Sequence, residues 1–71
     1  MYKHYYFNKN TDEKGLHEVH TKDCSHQPYP YNREYIGYFA NCKDAIVRAK
    51  AEHPFKTFDG CFWCSRECHT G

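Results

Sequence analysis

Gly60-Cys61-Phe62-Trp63-Cys64 places one cysteine on either side of two aromatic residues. Cysteines at this spacing let one tight turn aim both sulfurs at a common point, which suits a tetrahedral metal ion or a redox couple. A thioredoxin-like couple needs a surrounding βαβ unit, and the pattern around Cys61 and Cys64 does not supply one. A metal site needs a second pair of ligands from elsewhere in the chain. His20-Thr21-Lys22-Asp23-Cys24 is the best source, because it lies where a predicted strand ends and the chain leaves the sheet. The expected ligands are therefore His20, Cys24, Cys61 and Cys64, around one Zn²⁺.

Two residues compete for the fourth position. A helix over 61–68 would set Cys61, Cys64 and Cys68 at i, i+3 and i+7 on one face, and Cys68 or His69 would then replace His20. Cys42 falls on the apolar stripe of a predicted helix and reads as a small buried hydrophobe. His4, His17, His26 and His53 have no partner at ligand spacing and read as surface groups. Ser25 beside His26 has neither a nucleophile elbow nor an orienting third group, so hydrolase chemistry is rejected. Of Phe62 and Trp63, one is expected to pack over the metal loop.

Size and composition explain why a metal is needed. The chain has 71 residues, 39% of them hydrophobic, and its aromatic residues are seven Tyr against five Phe and one Trp. Such a chain has little interior, and tyrosine hydroxyls prefer its rim. Burial hardly offsets chain entropy at this size, so a staple is expected. Five cysteines cannot all pair within one chain. The segment Met1–Phe7 has no apolar signal core or cleavage site, and no apolar run is long enough to cross a bilayer. The expectation is a cytoplasmic, reducing setting, in which cysteine clusters bind metal more often than they form disulfides. A formal charge of +1 argues against a partner held mainly by electrostatics.

The remaining pattern fixes the elements. Residues 2–8 and 16–20 read as a hairpin joined by a polar loop, with Leu16, Glu18 and His20 on one face of the second strand and His17 and Val19 on the other. Residues 25–32 hold two prolines and read as an extended connection, and 35–39 read as a third strand. Asn41 caps a helix over 41–53 whose apolar stripe is Cys42, Ala45, Ile46 and Ala49, and Pro54 stops it. The expectation is one α+β domain over 1–71: a small three-stranded antiparallel sheet, one amphipathic helix and a C-terminal Cys-x-x-Cys knuckle, stabilised by zinc.

This order resembles the Ada-type metal-binding fold, the zinc module of methylphosphotriester-repair proteins. The resemblance rests on His20-Thr21-Lys22-Asp23-Cys24, on Phe39 ahead of the helix, and on Cys61-Phe62-Trp63-Cys64. It implies the fold, the zinc and the four ligands. In the repair proteins the first ligand is the alkyl-accepting cysteine; His20 stands there in this chain, and Gly60 replaces the proline before the Cys-x-x-Cys. The expected role is thus a non-catalytic structural zinc module that binds an unidentified protein or nucleic-acid partner. The alternatives are a nucleic-acid-binding module, or a zinc-thiolate alkyl acceptor working through Cys24 or Cys64.

Overall fold

The computed structural model describes residues 1–70. β1 (Lys3–Asn8) and β2 (His17–Thr21) pair antiparallel, as the hairpin reading requires. Asp12 organises the long loop between them: its carboxylate accepts from the N–H groups of Leu16 at 2.9 Å and Lys14 at 2.8 Å. These bonds, the one from Leu16 foremost, hold the Asp12 carboxyl below its ordinary pKa. Gly15 takes a φ of 79°, which a residue with a Cβ would resist.

β3 (Arg33–Phe39) lies on the other side of β1, preceded by a single 3₁₀ turn at Pro30–Asn32 within the proline-rich connection. Its register steps from Tyr5↔Gly37 to Tyr6↔Tyr35, so Ile36 is an extra residue in β3. The bulge turns Ile36 into the core while Tyr35 and Tyr38 stay exposed. Gly37 is required there: its φ is 155°, and a Cβ would come within 2.7 Å of the Phe39 ring.

Strand alternation sends Tyr5, Phe7, Val19 and Ile36 to one face, where α1 (Cys42–Glu52) packs through Cys42, Ala45 and Ala49. The helix begins as expected, with the Asn41 side chain accepting from the Asp44 N–H at 2.9 Å, and it ends at His53 before Pro54. His17 corrects the sequence reading. It is buried, not a surface group, with Nδ1 2.8 Å from the Asn8 carbonyl and its ring against Phe7 and Phe58.

The sheet is four-stranded and mixed, in place of the expected three antiparallel strands. β4 (Phe58–Gly60) pairs parallel with β2, giving the order β3-β1-β2-β4. Three residues that include Asp and Gly are too short for alternation and too poor in β-formers to announce a strand. Tertiary bonds hold it. Asp59, only 2% exposed, accepts from the Thr70 N–H at 2.7 Å and the Thr70 hydroxyl at 3.0 Å. Gly60 allows a close approach, since a Cβ would collide with the Ser65 carbonyl and sit 2.6 Å from Cys68 Cβ.

Cys42 also departs from expectation. It forms a disulfide with Cys68, tying the first turn of α1 to the 3₁₀ turn Arg66–Cys68. The odd cysteine count therefore divides into one bridge and three free thiols, at Cys24, Cys61 and Cys64. No helix among the described residues is long and apolar enough to cross a membrane.

Candidate metal centre

Parallel strands leave a sheet at the same end, and that topology assembles the site. The chain passes from β2 into Lys22-Asp23-Cys24 and from β4 into Cys61-Phe62-Trp63-Cys64, so the two ligand pairs emerge side by side. The Cys61 N–H donates to the Val19 carbonyl at 3.0 Å, carrying the pairing one residue past β4 and setting Cys61 beside His20. His20 is opposite Tyr6 in the register, on the sheet face away from α1, yet the following loops leave it only 1% exposed.

One ligand atom from each of His20, Cys24, Cys61 and Cys64 lies within 4.8 Å of the others. The Cys24 and Cys61 sulfurs are 3.9 Å apart, and Cys64 Sγ is 4.0 Å from His20 Nδ1. A tetrahedron with metal–sulfur bonds of about 2.3 Å has edges of roughly 3.8 Å, so these separations match a cage around an ion. A disulfide would need about 2.05 Å. The four expected ligands come together.

The turns that follow Cys24 and Cys61 are built the same way. The His26 N–H donates to Cys24 Sγ and the Trp63 N–H to Cys61 Sγ, each at 3.4 Å and each from two residues further along. The Thr21 N–H donates to Cys64 Sγ at 3.3 Å. Every sulfur in the cluster thus faces a backbone donor, which offsets the charge of a thiolate. Two of these three donor residues also meet: the His26 and Trp63 rings stack at 4.6 Å beside the opening that they line with Cys24 and Cys64.

The thiols are unequal. Burial pushes Cys24 up to about 12 and raises Cys61 as well. Burial also opposes ionisation of Cys64, but hydrogen bonds with His20, the Thr21 N–H, Cys24 and Ser65 outweigh it and bring this thiol down to about 6. Three sulfurs and one imidazole form a soft donor set that suits zinc and disfavours hard cations such as magnesium or calcium.

His20 Nε2 is buried without a hydrogen bond, and its nearest ionic neighbour is Glu18 Oε1 at 3.6 Å. A ligating imidazole ordinarily turns its other nitrogen toward a carboxylate. Glu18 is the carboxylate nearest that nitrogen, at a distance beyond a hydrogen bond; the sequence reading set it on the strand face of His20 but gave it no role. The competing ligands stand elsewhere. Cys68 is consumed by the disulfide, and His69 Nδ1 lies 3.0 Å from the Gly60 carbonyl and 3.4 Å from the Asp59 carboxylate. The helix over 61–68 that would have favoured them is absent: a turn is followed by the short 3₁₀ segment.

No protein-family model matches the chain, nor does any curated protein or solved structure.

Proposed function

We propose that this chain is a small binding module whose fold is fastened by one structural Zn²⁺ at His20, Cys24, Cys61 and Cys64, with no catalysis at the metal. The observation that carries this is the pair of matched turns, each directing a backbone N–H at its own cysteine sulfur while the sulfurs converge with an imidazole. Four protein ligands fill a tetrahedral zinc sphere, which leaves no open position for water or substrate. Three thiolates around the ion carry a net charge of −1, which the N–H donors spread.

Zinc binding of this kind supplies about 10–16 kcal/mol near neutral pH. That equals or exceeds the total stability of an ordinary domain, about 5–15 kcal/mol. The metal-free chain is therefore expected to lose its fold. Elemental analysis of the purified chain should find one zinc per molecule, and excess chelator should collapse its amide NMR dispersion until zinc is restored. A chain that stays dispersed with no bound metal ends this reading.

A further inference from the structure

The sheet face opposite α1 carries an aromatic surface that the core and the metal site do not use. His4 and Tyr6 of β1 lie opposite Tyr38 and Tyr35 of β3, and the bulge at Ile36 is what brings those two tyrosines, three residues apart, onto one face. The rings form a continuous series: Tyr2–Tyr38 at 5.4 Å, His4–Tyr38 at 4.6 Å, His4–Tyr35 at 5.7 Å and Tyr6–Tyr35 at 5.1 Å. Tyr2, Tyr35 and Tyr38 remain 59%, 49% and 56% exposed. The directly opposed pairs His4–Tyr38 and Tyr6–Tyr35 help hold β1 to β3, but the outer faces of Tyr2, Tyr35 and Tyr38 stay open to solvent, and contiguous exposed apolar surface of this kind marks binding sites.

Charge selects the occupant. At one end of the series a depression of about 490 Å³ is lined by Tyr2, His4 and Tyr38 together with Lys3, Lys22 and Asp23. Asp23 is already engaged by Lys3 at 3.1 Å and by the Thr21 hydroxyl at 2.7 Å. Lys22 makes no ion pair among the described residues, and its N–H bond to the His4 carbonyl at 2.9 Å anchors its backbone beside the rings. Rings alone would suit a proline-rich peptide or a neutral sugar. Rings with an uncommitted cation in the same depression suit a ligand that presents flat rings and regularly spaced negative charge.

We infer that this face binds single-stranded nucleic acid, with bases stacked on Tyr38, Tyr35 and their neighbours and backbone phosphate at Lys22. Stacking on such a platform tolerates any base, because every base presents a π-face. The near-zero net charge then fits a short, stacking-dominated site. This inference deepens the binding-module reading and rests on it.

The test is a titration of the full zinc-loaded chain with short fluorescein-labelled oligothymidine and oligouridine at low salt, read by anisotropy and by amide chemical shifts. Shifts should cluster on β1 and β3. Tyr38→Ala and Tyr35→Ala should each weaken binding roughly tenfold, whereas Tyr38→Phe, which keeps a ring, should retain it. Lys22→Ala should lower the slope of log affinity against log salt by about 0.7. Val47→Ala, on the exposed face of α1, should change nothing. Folded, zinc-loaded chain that ignores both oligonucleotides, or binds them equally well without Tyr35 and Tyr38, overturns the inference while leaving the zinc reading intact. Preference for a proline-rich peptide or a neutral oligosaccharide over both strands overturns it too. Strand binding that persists in folded, metal-free chain supports the surface and sinks the zinc reading alone.

Discussion

His26 and Trp63 stack with ring centroids 4.6 Å apart and planes only 15° from parallel, although 37 residues separate them in the chain. Each sits two residues after a cysteine and donates its backbone N–H to that sulfur, so the stack joins the two sulfur turns on their outer side. Trp63 stays 65% exposed, which makes the pair a brace at the mouth of the cluster and not part of the core.

Trp63→Ala removes the brace without touching a ligand. An aromatic pair of this kind is worth about 0.5–1.5 kcal/mol beyond its buried area. The variant should retain one zinc but unfold at a lower temperature and lose the metal to chelator faster. Unchanged melting and unchanged release would show the stack to be idle.

Cys68→Ser separates the two classes of cysteine. Opening a bridge across 26 residues should cost about 3.5 kcal/mol by chain entropy, with zinc stoichiometry preserved. Cys61→Ser should instead remove the metal. Zinc lost from the Cys68 variant while the Cys61 variant keeps it would reverse the ligand assignment.

Glu18→Gln tests the orientation of His20. Its carboxylate lies 3.6 Å from the imidazole nitrogen that does not face Cys64. Removing such an outer partner commonly lowers metal affinity by about 10- to 100-fold. Competition against a zinc chelator of known affinity measures this, and equal affinities would leave Glu18 an ordinary surface acid.

Zinc must displace protons from the thiols it binds. At pH 7 Cys24, raised to about 12 by burial, and the raised Cys61 hold theirs, while Cys64, brought down to about 6, has mostly released its own. Binding at that pH should liberate roughly two protons per ion. Affinity should rise with pH, and its slope should steepen below about 6, where Cys64 also retains a proton. Calorimetry in buffers of different ionisation enthalpy counts the protons. A count near zero would mean that the cysteines are not the ligands.

Gly60→Ala probes the tight passage from β4 into the sulfur turn. The added methyl would meet the Ser65 carbonyl and Cys68 Cβ, the latter at 2.6 Å, with rigid backbone on either side. Overpacking of this kind costs about 1–3 kcal/mol. Denaturant unfolding of the zinc-loaded variant reads the loss directly.

The local features are legible in runs of neighbouring residues. Asn41 and Pro54 bound the helix, the polar loop around Asp12 joins the hairpin, and the spacing of His20 with Cys24 and of Cys61 with Cys64 marks two ligand pairs. These are legible because capping, turn chemistry and ligand spacing act over a few residues. Tertiary structure alone decided that Phe58-Asp59-Gly60 becomes a parallel strand beside β2, that Cys42 finds Cys68, that His17 is buried, and that Tyr35 and Tyr38 share a face. Each depends on groups far apart in the chain: Thr70 satisfying Asp59, the helix meeting the 3₁₀ turn, the β1 register forcing a bulge. Such contacts follow from how whole elements pack, and no periodicity in the residues encodes them.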